Sequence, residues 1–153
     1  MRALFLAAAM TLGLAVPAHA EPVGSDANAG ATPIQGDGVY RAFHEKAGID
    51  RVVSRLVDLY KTDPRIKDIF AAADNDHLKL MLSEQFCYIL GGPCHYSGKD
   101  MKQAHADMGV QTADFNALVQ DLQTAMDAEH VPFWAQNRLL AKLAPMKRVV
   151  VTR

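Results

Sequence analysis

An all-α domain is the fold class this sequence predicts. Apolar residues recur at spacings of three and four in every long segment, β-branched runs are few, and no Asn-Gly hairpin dipeptide occurs. Half of the 153 residues are hydrophobic and 22% are charged, a balance that suits one folded domain and excludes a disordered or collagen-like chain. Lys+Arg number 16 against 17 Asp+Glu, so there is no basic excess to neutralise phosphates. A role on nucleic acid or an anionic membrane therefore has no electrostatic basis.

The elements follow in order. Arg2, an apolar run over residues 3–16 and Ala18-His19-Ala20 read as a secretory signal: one positive charge, an apolar core too short to span a bilayer, and small residues before a cut at Glu21. Residues 1–20 are thus expected to be a signal peptide, and the mature protein to be periplasmic or secreted, without a membrane anchor. Residues 21–38, EPVGSDANAGATPIQGDG, contain almost no large apolar side chain and are expected to form a flexible linker. The folded domain is expected over 39–153.

A short helix is predicted over 39–46, ended by Ala47-Gly48, with Asp50 capping the next. In that second helix Val53, Leu56, Val57 and Tyr60 share one face, and Thr62-Asp63-Pro64 stops it. A helical turn over 64–70 leads to Asp74, Asn75 and Asp76, any of which can cap a helix bearing Leu78, Met81, Leu82, Gln85, Phe86 and Ile89. Gly91-Gly92-Pro93 ends it, because Gly accepts the left-handed terminal conformation and Pro cannot continue a helix. After a loop, a short helix over 100–108 closes at Gly109, and Thr112 caps a long helix with Phe115, Leu118, Val119, Leu122 and Met126 inward. Pro132 opens a last helix reaching about residue 149. The count is five substantial helices and two short ones.

No HExxH, CxxC, CxxCH, GxSxG, phosphate-loop or EF-hand motif is present. Histidine is then the residue to weigh. His105 shares helical spacing with Met101, Ala104 and Met108, which sets its imidazole on an apolar face; a hydrogen-bonded core histidine is the plain alternative to a ligand. Cys87 lies near a helix end and Cys94 follows the Gly-Gly-Pro turn, so the chain doubles back between them. In an exported protein this pair is expected to form a disulfide worth about 2 kcal/mol, with free buried thiols as the alternative. Cys94-His95 lacks the preceding cysteine needed for covalent haem attachment.

From Val52 to Gly109 the chain resembles the group I truncated haemoglobins. VVSRLVDLYKTDPRIKDIF aligns without a gap on a stretch with an aromatic pair, a D-P turn and a terminal Phe. The helix ending in LGGP follows, then HYSGKDMKQAHADMGV, which is similar to the family's Y-T-G-x-x-M-[KR]-x-x-H segment. The resemblance implies a two-over-two helical sandwich enclosing haem b (iron protoporphyrin IX), with His105 as the proximal iron ligand. It implies that Phe70 packs flat on the porphyrin and that Phe86, Tyr96, Met101, Phe115 and Leu118 line the cavity. Tyr96 either reaches a haem propionate or caps a loop.

The distal side departs from the family pattern. Where usual members place a Tyr and polar residues that donate to the gas ligand, alignment puts Val57, Leu78 and Leu82. Losing such a donor in a desolvated site costs about 1–3 kcal/mol, or roughly 5- to 150-fold in affinity, so weak and fast-releasing O2 binding is expected, with CO affected less. Two features stand against this reading. Tyr60 is one turn beyond Val57 and could donate instead; Met81 occupies a position where some members carry an iron-binding residue, and would give His/Met ligation suited to electron transfer. His77 is a further distal candidate, while His44, His95 and His130 read as surface residues. The function expected is reversible binding of O2, CO or NO. The alternatives are a haem enzyme, oxidising NO or acting as a peroxidase, and a periplasmic electron carrier with a redox partner.

Overall fold

The computed structural model of the chain describes residues 25–153; the expected signal peptide and the first part of the expected linker lie outside them. All regular structure among the described residues is helical. The elements are α1 (Gly38–Ala42), α2 (Glu45–Tyr60), α3 (Asn75–Ile89), α4 (Met101–His105), α5 (Thr112–Ala128), α6 (Phe133–Leu143) and α7 (Lys147–Val150), with 3-10 turns at Asp26–Ala29, Lys67–Phe70 and Ala144–Met146. None of these helices is long and apolar enough to cross a membrane.

Four long helices make the frame. α2 packs against both α3 and α5, while α6 packs against α5 and α3, which produces two helical pairs laid over one another. α2 is the central member because one face of it, from Ile49 through Val52, Val53, Leu56, Val57 and Tyr60, is wholly buried. Such a stripe at helical period must find partners on two sides. Polar ties fix the angles: Glu129, just past α5, accepts from Arg51 and Arg55 of α2 at 2.8–3.0 Å. The corner after α2 is held by Asp63, which accepts from the backbone and guanidinium of Arg65, while Arg65 Nη1 reaches Gln120 on α5 at 2.5 Å. The Arg65 guanidinium keeps the Asp63 carboxyl below its ordinary range, whereas burial pushes that of the neighbouring Asp121 up.

Several boundaries differ from those read in the sequence. The second helix starts at Glu45 and runs straight through Ala47-Gly48. Gly48 is buried there because a Cβ would collide with the Phe43 carbonyl and His44 Cβ, so this glycine permits close packing instead of ending a helix. Asp50 consequently lies inside α2, where its carboxylate accepts from Ser83 and pairs with Lys46. Asp74 is the cap of α3, accepting from the N–H groups of Asp76 and His77 at 3.1 Å. Gln111, not Thr112, precedes α5, and Asp114 reaches back to its N–H at 2.8 Å. The last helix does not run to residue 149: it stops at Leu143, and the chain re-forms as α7 after a 3-10 turn containing Pro145. Proline has no N–H to give and its ring crowds the preceding turn.

The flexible-linker expectation fails for the described residues 25–37. They lie on the domain: Ala29 is fully buried, the Ile34 N–H donates to Ile89 O at 2.8 Å, and Gln85 donates to Ala29 O at 2.8 Å. Composition misled because a few small or partly buried apolar residues, Ala29, Ala31 and Ile34, together with hydrogen bonds to the domain hold this segment.

Cys87 and Cys94 form a disulfide with Cα atoms 5.8 Å apart, joining the last turn of α3 to the loop before α4. Replacing both with Ala is expected to cost about 2–3 kcal/mol through the freed loop. Urea denaturation of oxidised wild type and the double variant measures this, and equal midpoints would contradict it.

Candidate functional site

Between the helical layers lies a cleft whose empty space, counted out to its open mouth, is about 980 Å³. One wall comes from α3 through Leu78, Leu82, Gln85 and Phe86, and another from α5 through Phe115, Leu118, Val119 and Leu122. Leu56 and Tyr60 of α2, Ile66, Ile69 and Phe70 of the corner, and Met101, His105 and Met108 around α4 complete most of the lining. Almost all of it is hydrocarbon or aromatic. A cleft with this lining suits an apolar ligand.

His105 is the last residue of α4. Its Nδ1 lies 2.8 Å from the carbonyl oxygen of Met101, one turn earlier. A carbonyl can only accept, so Nδ1 carries the hydrogen and the lone pair rests on Nε2. That is the tautomer a metal ligand requires, with its orientation set by a backbone acceptor. Helix α4 has only five residues, and the Asp100 carboxylate caps it by accepting from Gln103 N at 2.8 Å. Among the described residues no group of three or more His, Cys, Asp or Glu gathers to hold a bare ion; the apolar lining around His105 suits a metal carried within an apolar cofactor. The fit is good on the chain's own terms: one imidazole with a free lone pair in an apolar cleft.

The other polar groups of the wall are spent on the protein itself. The Tyr60 hydroxyl donates to Asn75 Oδ1 at 2.6 Å, and its ring stacks on Phe70 with centroids 4.1 Å apart. Burial, aided by Asp58, pushes the Tyr60 phenol up to about 12. Gln85 Nε2 donates to Ala29 O and to Met101 Sδ, at 2.8 and 3.3 Å. Asp114 accepts from Gln111 N.

Of the residues singled out in the sequence, the structure brings Phe70, Leu78, Leu82, Phe86, Met101, His105, Phe115 and Leu118 to the cleft. Val57 and Tyr96 are not there. Val57 is buried in the helical core, because Leu56 and Tyr60, four residues apart, take the cleft-facing row of α2. Tyr96 is buried beneath its own loop, its hydroxyl donating to Lys99 O at 2.9 Å, which is the loop-capping alternative. Met81 is partly buried on α3 outside the lining, and His77 is exposed. Leu143, Met146 and Val150 also line the cleft unannounced. Met146 and Val150 follow the turn at Pro145, which periodicity within an assumed straight helix could not reveal.

A model of the family described as bacterial-like globin matches residues 38–152. A group 1 truncated hemoglobin of Tetrahymena pyriformis is 33% identical over 90 residues, covering 56% of this chain and 74% of that protein. Another, of Mycolicibacterium paratuberculosis, is 26% identical over 114 residues, covering 74% of this chain and 84% of its own. Among solved structures, the truncated hemoglobin of T. pyriformis in its Fe(III) form superposes with a TM-score of 0.71 at 23% identity, covering 75% of this chain and 98% of that one. The 2/2 hemoglobin of a Synechococcus species, solved in the cyanomet state with covalently attached heme, gives 0.70 at 20% identity over 75% of this chain and 98% of its own.

Tyr60→Phe keeps the stack on Phe70 and removes one hydrogen bond, so it is expected to cost about 1 kcal/mol at neutral pH. The phenol is raised in the folded state, so its contribution is fully present below the ordinary tyrosine value of 10.0 and is lost as pH climbs toward about 12. Denaturation midpoints taken across that window should fall more steeply for wild type than for Tyr60→Phe; parallel curves would contradict this.

Proposed function

This chain belongs to the bacterial-like globin family, and from that premise we propose that it binds haem b through His105 and reversibly takes up O2, CO or NO. The observation that carries the reading is the His105 imidazole, held by the Met101 carbonyl with its Nε2 lone pair free, in an otherwise apolar cleft. Haem, if bound, would be held by His105 and would supply an iron centre able to take up a diatomic gas.

The residues of the chain determine the rest. Phe70, Phe86, Phe115 and Leu118 offer the aromatic and aliphatic surface that shields a porphyrin from water. Leu78 and Leu82 stand where hydrogen-bond donors are usual, and they have none to offer. Both hydrogens of the Gln85 amide and that of the Tyr60 hydroxyl are engaged elsewhere. A ligand that accumulates negative charge, as O2 does, therefore gains little from this wall, while CO loses little by its absence. Weak, rapidly reversible O2 binding is the behaviour such a site supports. Met81, outside the lining, gives no support to His/Met ligation, so gas binding stands ahead of electron transfer. The Cys87–Cys94 bridge supports an exported location, since such bonds persist in oxidising compartments.

Haem titration followed by absorption spectra tests the reading. Wild type should give a five-coordinate ferrous spectrum and rapid CO uptake, and His105→Ala should lose haem on gel filtration. Full haem retention with an unaltered spectrum in His105→Ala would refute the ligand assignment. Leu82→Gln supplies a donor to the distal wall and should slow O2 release by roughly 5- to 150-fold.

A further inference from the structure

Residues 26–30 lie outside the part of the chain that matches the family, so membership does not account for them. They bear on the proximal side of the cleft at successive points. Asp26 accepts from the Tyr96 N–H at 2.7 Å and from His95 Nδ1 at 2.9 Å, and Asn28 Nδ2 donates to Gly98 O at 3.2 Å. All three grip the loop that delivers α4. The next two contacts reach Met101 itself. Gln85 Nε2 bridges Ala29 O to Met101 Sδ. Gly30, with φ +81°, passes so close that a Cβ on it would sit 2.9 Å from Met101 Cγ.

Met101 is also the residue whose carbonyl orients His105. From this chain of contacts we infer that residues 26–30 form a positioning strap: they seat Met101, and through it set the attitude of the His105 imidazole. A helix of five residues cannot hold that attitude alone, because helices this short gain too little from their own hydrogen bonds. Asp26 and Asn28, outside the cleft lining, are thus positioning residues, and Gln85 links the strap to Met101 from the cleft wall. The inference rests on reading His105 as the haem ligand, yet the strap can be tested without haem.

The experiment compares wild type with Asp26→Ala/Asn28→Ala, both substitutions lying on the strap and away from the helical core. Amide exchange is followed in the haem-free chain, and haem transfer to excess apomyoglobin in the loaded one. The expected result is about tenfold faster exchange confined to residues 95–105, with haem loss faster by about tenfold, the effect typical of removing a supporting partner behind a metal ligand. Asp26→Asn, which keeps an acceptor for the Tyr96 N–H, should restore most of the protection. Unchanged exchange, acceleration spread evenly over α2 and α5, or local acceleration with unaltered haem loss would each overturn the strap. If wild type takes up no haem, the functional reading fails, and the exchange arm alone decides whether the strap holds α4.

Discussion

The hydrogen bond between His105 Nδ1 and the Met101 carbonyl is the interaction on which the site depends, because it selects the tautomer and aims the ring. It joins two residues at the ends of one five-residue helix, so anything that moves Met101 moves the imidazole. Support for Met101 comes from three directions. Asp100 caps the helix, Gln85 reaches across from α3, and the N-terminal segment presses on the methionine at Gly30. A small functional helix is stable here only because longer elements bracket it, and the four-helix frame is what makes those elements rigid.

The same economy of polar groups shapes the cleft. A buried amide or phenol needs partners, and here Gln85 and Tyr60 find them within the protein. Groups that could have addressed a ligand are instead turned to structure. Tyr60 shows this most clearly, since it lies on the cleft wall yet closes the corner between α2 and α3 by bonding Asn75 and stacking on Phe70. The result is a wall that resists water and discriminates little by hydrogen bonding.

Much of this was legible in the sequence. Helical periodicity placed α2, α3 and α5 and set His105 on an apolar face one turn after Met101, while only the resemblance singled it out as a candidate ligand. What periodicity could not convey was the three-dimensional meaning of individual breakers. Gly48 looked like a terminator and is a contact point, because only the packed neighbour at Phe43 reveals why a side chain is forbidden there. Pro145 was absorbed into an apparently continuous pattern and in fact redirects the chain, carrying Met146 and Val150 to the cleft. Gap-free alignment placed Val57 at the cleft, but a rotation of one residue along α2 substitutes Leu56, a distinction that linear spacing does not resolve. The segment 25–37 was misread for a different reason: its order comes from a few apolar contacts at Ala29, Ala31 and Ile34 and from hydrogen bonds to residues distant in sequence, which local composition does not convey.

The disulfide has a consequence for the state of the chain before any ligand arrives. α3 supplies Leu78, Leu82 and Phe86 to one side of the cleft, while the loop that follows Cys94 leads to His105 on the other. Cys87 and Cys94 therefore tether the two sides close to where the chain passes from one to the other. Such a tether restricts how far they can splay and so removes entropy from the ligand-free ensemble in advance of binding. The cleft is preorganised by a covalent bond, and less of the affinity of its occupant is consumed in bringing the two sides together.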